Sequence, residues 1–340
     1  MKIAITADPE LPVPPILYGG IERIIAMLID GLVNLGHEVV LFAHKDSVVP
    51  CKLIPYNAAD NSVKSAIING ITINKTLLSQ KFDIIHSFSR LAYLLPQMPL
   101  STPILMSYQR EPTIAQVKKA VKLSAKNTLA FTGCSNYITD QIKPFAKADT
   151  VYNGVDVSKY NATTNVNIDA PLVFLGRIEP IKGPHTAIEI AKKTNSKLII
   201  AGNIPNDQQA YFNESIKPFI NDNITYIGPV NDEQKNELLQ NALALLMPIH
   251  WNEPFGIVMI EAMACGTPVI GFNKGAVHEV IENGITGFYG ETIAELIEKV
   301  SEVQSLDRKQ IRAITEKQFS AEVIVKQYLE LYSWMIAQAK

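Results

Sequence analysis

The sequence predicts an α/β protein made of two doubly wound parallel-sheet domains. Three observations predict it. The chain has 340 residues, enough for two domains of ordinary size with ample core. With 47% hydrophobic and 19% charged residues it has the composition of a globular protein. Strand-length apolar runs alternate with helical stretches through the chain, and they do so twice.

In the first series the strands are expected at "KIAITA", "HEVVLFAH", "DIIHSF", "TPILMSY", "LAFTGC" and "TVYNGV", with "IERIIAMLIDGLVNLG" among the intervening helices. In the second, "PLVFLGRI", "KLIIAGN", "ITYIGPV", "ALALLMPI" and "TPVIGF" alternate with "GPHTAIEIAKKTN", "NDEQKNELLQNA" and a helix from Gly256 to about Cys265. Gly266 ends that helix, and Pro268 to Phe272 forms a buried strand. Between Asn153 and Pro171, Asn, Thr, Asp and Pro accumulate without periodicity, so the join falls there. The expected domains are 1–155 and 156–321, and the amphipathic stretch at about 322–340 can pack back onto either. Ligands of such sheets bind at the C-terminal ends of the strands, which here would face each other across a cleft.

Net charge is -2, from 31 Lys+Arg and 33 Asp+Glu. The first 155 residues hold 15 and 11 of these, leaving 16 and 22, so the halves differ in sign. Cys51, Cys134 and Cys265 have neither disulfide nor metal-ligand spacing, which argues for a reducing compartment and against a structural zinc. The opening "MKIAITA" reads as a strand and lacks the regions of a signal peptide, and no stretch approaches the roughly 20 apolar residues of a membrane span. A cytoplasmic protein is expected. Lys118, Lys119, Lys122 and Lys126 would form a stripe if "IAQVKKAVKLSAK" is helical, a solvated face or a peripheral contact with the inner face of the membrane. No surface has the aromatic interleaving of a nucleic-acid site.

Chemistry concentrates in "HWNEPFGIVMIEAMACGTPVIGF". Glu261 sits mid-helix, flanked at three and four residues by Ile257, Val258, Ala264 and Cys265, so it has no solvated face and needs a partner. Either a neighbouring group of the protein supplies it, a backbone amide or an arginine, or a polyhydroxy ligand does. Glu253 lies in the preceding loop beside the backbone of Phe255 and Gly256, at the end of a strand. The helix start offers free amides and positive dipole. After "LVFLG", Arg177 and Lys182 would suit a diphosphate, and Gly19-Gly20 permits close approach after the first strand.

From Glu253 to Glu261 the sequence resembles the E-x7-E element of the retaining family 4 glycosyltransferases, also described as glycosyl transferases group 1. "GGIER" at 19–23, "YNGVD" at 152–156, "FLGRIEPIKG" at 174–183 and "GAVHEVIENGITGF" at 275–288 follow the same pattern in order. The resemblance implies a GT-B fold of two Rossmann-like domains, with the acceptor on the N-terminal one and the nucleotide sugar on the C-terminal one. The final helix would cross back to the first domain. It implies diphosphate contacts from Arg177 and Lys182, a ribose contact from Glu261, and donor-sugar contacts from Glu253 and the backbone of Phe255, Gly256, Ile257 and Val258. Gly19 and Gly20 would close on the phosphates. Glu253, Arg177, Lys182 and His86 are the expected catalytic groups. No metal or other cofactor is expected.

Departures from the family pattern fall on the acceptor side. Relatives often carry a second histidine two residues after His86, where this chain has Phe88; His86 then contacts a sugar or is structural. Arg90, Gln109 and Arg110 would form a basic acceptor pocket for a small molecule, glycan or lipid, or are surface groups. The expected activity is hexosyl transfer from a nucleotide-diphosphate sugar, with UDP-glucose placed first by its frequency among such enzymes. A nucleotide-sugar binding protein without turnover and a GT-B nucleotide-sugar epimerase are the alternatives. A dinucleotide oxidoreductase is excluded, because neither first strand is followed by Gly-x-Gly-x-x-Gly.

Overall fold

The computed structural model describes residues 1–17, 19–60 and 62–339. The chain divides into two compact units: Met1–Gly154 with the C-terminal segment from Ala321, and Val155–Ser320.

The first unit runs β1 (Lys2–Thr6), α1 (Gly20–Asn34), β2 (Glu38–Ala43), β3 (Lys52–Pro55), α2 (Val63–Ser79), β4 (Ile84–Ser87), β5 (Ile104–Tyr108), α3 (Ile114–Leu123), β6 (Leu129–Gly133), α4 (Asn136–Ile142) and β7 (Ala148–Thr150). All its strands are parallel, in the order β3-β2-β1-β4-β5-β6-β7. The order reverses between β1 and β4, the switch point where open α/β sheets bind ligands. Central strands are covered on both faces, which is why Ile3, Ile5, Leu41, Phe42, Ile84 and Leu105 are all buried.

The second unit contains β8 (Leu172–Leu175), α5 (Pro184–Thr194), β9 (Leu198–Ala201), α6 (Gln209–Ser215), β10 (Ile224–Tyr226), α7 (Asp232–Gln240), β11 (Ala244–Met247), α8 (Ile257–Ala264), β12 (Val269–Phe272), α9 (Val277–Val280), β13 (Gly287–Gly290), α10 (Ile293–Glu302) and α11 (Arg308–Phe319). Its order, β10-β9-β8-β11-β12-β13, places the switch point between β8 and β11. Leu172, Phe174, Ile190, Ile200, Leu246 and Ile270 belong to its core.

The last helix, α12 (Ala321–Gln338), belongs to the first unit. It packs on α1 where Gly31 meets Val325: a Cβ on Gly31 would lie 2.5 Å from Val325 Cγ2. The expected helix at 322–340 ends on Lys340, outside the described residues.

Two expectations are corrected, and two strands were not foreseen. "TVYNGV" is not the strand; β7 ends at Thr150, and Val155 pairs instead with Ser320. β3 escapes notice because it is a half-exposed edge strand of four residues ending in proline. β13 begins and ends with glycine, and Gly287 is there for close approach, since a Cβ would fall 2.1 Å from the Val269 carbonyl oxygen. Lys126 lies beyond α3, which stops at Leu123, so the lysine stripe does not run that far. Among the described residues, no helix is long and apolar enough to cross a membrane.

Candidate functional site

The loops leaving β8 and β11 are tied together at the second unit's switch point. Gly183 holds φ at 77°, and a Cβ on it would fall 1.9 Å from the Pro248 carbonyl oxygen. The His250 amide donates to Ile181 O at 2.7 Å. This join brings Lys182, at the end of the turn Pro180–Lys182, onto Glu253: its Nζ donates to Oε2 at 2.8 Å. Trp251 Nε1 donates to the same oxygen at 2.9 Å, and the ammonium lies over the Trp251 ring, 4.5 Å from its centroid. The Glu253 backbone is itself fixed, because it bridges to Gly275 and its carbonyl accepts from Ala276 N–H at 2.8 Å. Arg177 pairs with Glu179 at 2.8 Å beside this cluster in sequence.

Gly256 starts α8 with φ 84°, and Cys265 and Gly266 close it, as the sequence predicts. The Ile257 and Val258 amides occupy the first turn, where an α-helix leaves N–H groups unpaired by its own backbone. Phe255 turns its side chain into the unit, edge-on to Phe319 with centroids 5.9 Å apart. It can therefore offer a ligand only its backbone.

Glu261 is 5% exposed, and the partner that burial demands is present within the protein. Oε1 accepts from Lys235 Nζ at 2.5 Å and from Tyr160 Oη at 2.8 Å. Lys235 is buried as well and also lies 3.3 Å from Asp232. The partner is thus a lysine and a tyrosine, not a backbone group or an arginine, and a ribose arriving at Glu261 would join an array already satisfied at Oε1. Two arginines brace this end of the unit. Arg308 donates to the carbonyls of Thr163, Ala242 and Gln240 and to Thr267 Oγ1. Arg312 donates to the carbonyls of Val157, Tyr160 and Ala264, tying the segment that carries Tyr160 to the end of α8. Burial, with the Glu261 charge adding to it, pushes the Cys265 thiol up to about 12.

In the first unit, Gly19 caps α1 at φ 152°, and a Cβ there would lie 2.6 Å from Pro15 Cβ and 2.8 Å from Glu22 Oε2. Gly20 is the first residue of the helix. The loop therefore meets a carboxylate whose pKa is raised by burial first, with Asp8 and Glu10 adding to the rise. Arg90, Gln109 and Arg110 do come together, in a pocket of about 550 Å³ that Leu91, Leu95, Tyr108 and Lys119 also line. Arg110 pairs with Asp8 at 3.2 Å, and Gln109 Oε1 accepts from Asn153 at 2.8 Å.

His86 is corrected from a sugar contact to a structural group. It is fully buried in β4, and both ring nitrogens are engaged, Nδ1 with Tyr332 Oη at 2.5 Å and Nε2 with Ser107 Oγ at 2.6 Å. Phe88, Tyr328 and Tyr332 pack around the ring. Desolvation lowers its pKa from 6.5 to about 3, so it is neutral.

Sequence reasoning missed Tyr160, Glu179, Lys235 and Trp251. Lys235 had a signal: it lies four residues before Leu239 and shares its buried face.

Two parallel sheets with helices, each with its own switch point, and a charged cluster on the loops of the second define a GT-B protein. Residues 18–159 match the family described as Glycosyltransferase Family 4, and residues 163–318 match Glycosyl transferases group 1. The chain belongs to these group 1, family 4 glycosyltransferases, and it is an enzyme of that class. It is 25% identical to spore coat protein SA of Bacillus subtilis (strain 168), over 98% of this chain and 99% of that one. Sucrose-phosphate synthase from Thermosynechococcus elongatus shares its fold with a TM-score of 0.81 at 18% identity, covering 99% of both chains. Anabaena Alr3699/HepE, solved with UDP-glucose, does so with a TM-score of 0.75 at 18% identity, covering 98% of this chain and 99% of that one.

Proposed function

We propose that this glycosyltransferase moves a hexose from a nucleotide-diphosphate sugar, UDP-glucose being the leading donor, to an acceptor hydroxyl with retention of configuration. The observation that carries the proposal is the array on α8: Glu253 held by Lys182 and Trp251 before its N-terminus, and Glu261 held by Lys235 and Tyr160 within it. The first turn's amides lie between the two carboxylates in sequence. A nucleotide sugar needs that set of groups: cations and amides for the diphosphate, and carboxylates for ribose and sugar hydroxyls. Alr3699/HepE, which has this fold, was solved with UDP-glucose, and this supports the choice of donor.

As the sugar–phosphate bond breaks, negative charge grows on the leaving diphosphate and positive charge on the anomeric carbon. Arg177, Lys182 and the Ile257 and Val258 amides are preorganised for the first, and the Glu253 carboxylate orients the sugar that carries the second. The acceptor attacks from the leaving-group face, and the departing phosphate oxygen takes its proton. This route needs no protein base and no metal ion, because the cations neutralise the diphosphate. We place the acceptor in the first unit's pocket beside Arg90, Gln109 and Arg110.

Thermal shift of the purified protein against UDP, GDP, ADP and their sugars, with and without EDTA, tests the donor. A ligand at about 100 times its Kd stabilises the native state by about 2.7 kcal/mol. A shift with UDP and UDP-glucose that EDTA leaves intact is expected; no shift with any nucleotide overturns the donor assignment. The anomeric configuration of the product, read by NMR, decides retention.

A further inference from the structure

Helix α2 turns an apolar ridge outward. Its protein-facing side carries Ser65, Asn69 and Asn74, all buried, alongside Ile73 and Leu77. Asn69 bonds both backbone groups of Ala58, and Asn74 donates to Tyr93 O at 2.8 Å and accepts from Gln97. Its outer side presents Val63, Ile67, Ile71 and Leu78, which are 78%, 59%, 62% and 66% exposed. Spacings of four and seven residues put these on one ridge, with exposed Lys64 and Lys75 alongside. The inner side is thus mixed, with Ile73 and Leu77 among polar groups, and the outer side carries the apolar ridge that the usual amphipathic pattern would bury. The inner polar groups are all hydrogen-bonded, so α2 is correctly seated and the outer ridge is not a misplaced core face.

The charge around the ridge selects its occupant. From Asp60 to Asp83 the sequence has no other acidic residue and carries Lys64, Lys75 and Lys81. A second copy docked ridge to ridge would set like charges against each other. Four side chains on one helix also fall well short of the about 800 Å² per partner of a standard protein interface. A short apolar ridge edged with lysines fits the boundary of an anionic bilayer, where the side chains enter the acyl region and the ammonium groups meet headgroup phosphates. Through its inner side α2 packs on the 3-10 segment Leu91–Gln97, whose Leu91 and Leu95 line the pocket beside Arg90, so the ridge faces away from that pocket on the same unit.

We propose that the exposed ridge of α2, Val63, Ile67, Ile71 and Leu78 with Lys64 and Lys75, docks the enzyme on the surface of an anionic lipid bilayer. The proposal stands independently of the donor assignment, since it concerns a different face and a different ligand.

Vesicle co-sedimentation of the full chain tests it, with phosphatidylcholine vesicles alone and with about 30% phosphatidylglycerol. Binding to the anionic vesicles is expected, at least about tenfold above the neutral ones, and salt should weaken it. Ile67→Ser/Ile71→Ser and, separately, Lys64→Glu/Lys75→Glu should each lower the bound fraction at least about tenfold while unfolding at the native temperature, because the replaced groups are exposed. Absence of binding to anionic vesicles, or native binding by either double variant, overturns the proposal. A native chain that is dimeric in solution and becomes monomeric on Ile67→Ser/Ile71→Ser overturns it in favour of a second copy.

Discussion

Lys182 and Glu253 stand 71 positions apart in sequence and meet in one hydrogen bond of 2.8 Å, with Trp251 donating to the same carboxylate oxygen. Neither side chain is free to wander, because the two loops share the Gly183–Pro248 contact and the His250–Ile181 hydrogen bond. The pair has a direct consequence for catalysis. Glu253 occupies part of the Lys182 charge that the proposed mechanism turns on the diphosphate.

Glu253→Gln keeps the shape of the loop and removes the negative charge. Turnover should fall by about 100-fold or more, the range seen when a preorganised polar group at a reacting centre is lost. Affinity for the nucleoside diphosphate should stay the same or rise, because Lys182 no longer shares its charge. Calorimetric titration with UDP beside steady-state kinetics separates the two effects. A tenfold loss of UDP affinity with intact turnover would show that Glu253 holds the diphosphate side and not the sugar.

Glu261→Ala removes the acceptor of Lys235 and Tyr160 and leaves a buried ammonium 3.3 Å from Asp232 without its main counter-charge. Breaking one side of a buried ion pair costs about 3–5 kcal/mol, most of it from the stranded charge. Urea unfolding should report a loss of about that size. Glu261→Leu combined with Lys235→Met should recover most of it, while donor affinity stays low in both variants. If the double variant is as unstable as the single one, the cost comes from packing and not from charge.

Much of this was legible beforehand because the signals are local. The alternation of apolar runs marked β1, β2, β4, β5 and β6 in the first unit and β8 to β12 in the second. Gly256 and Gly266 marked the ends of α8 because only a helix start and stop need them there. What stayed hidden depended on tertiary approach. β13 forms through glycines that permit contact with β12, and glycine does not advertise a strand. Tyr160 lay in a segment read as a join, yet Arg312 folds it onto α8. His86 was misread because both faces of a central parallel strand are covered, so a polar residue near its end need not reach solvent.

His86 makes the first unit acid-sensitive. Its pKa is about 3 in the folded protein and near 6.5 when unfolded, so between those values the unfolded chain binds a proton that the native state refuses. Stability contributed by neutral His86 is complete above about pH 6.5 and is lost as pH falls toward 3, by up to about 1.4 kcal/mol per pH unit at the steepest. His86→Gln should lower stability at neutral pH and flatten the profile of urea midpoints between about pH 6 and pH 4. An unchanged slope would place the acid sensitivity on other groups.

Gly183 and Gly284 separate backbone strain from steric clash. Their φ angles are nearly the same, 77° and 78°, so an alanine at either meets the same left-handed cost of about 1 kcal/mol. Nothing lies within 4 Å of a Cβ on Gly284, whereas one on Gly183 falls 1.9 Å from the Pro248 carbonyl oxygen. The loop cannot turn away at the next residue, because Pro184 already stands in the first turn of α5 with its φ fixed by the ring. Gly183→Ala must therefore push the Lys182 turn away from the β11 loop and pull Nζ off Glu253. Stability should drop by about 2–3 kcal/mol more than in Gly284→Ala. Turnover should fall with it, toward the level of Glu253→Gln, while Gly284→Ala keeps native turnover. Equal melting temperatures for the two variants would mean that the Gly183 loop relaxes without strain, and native turnover in Gly183→Ala would mean that the Lys182–Glu253 contact is not what aligns the donor.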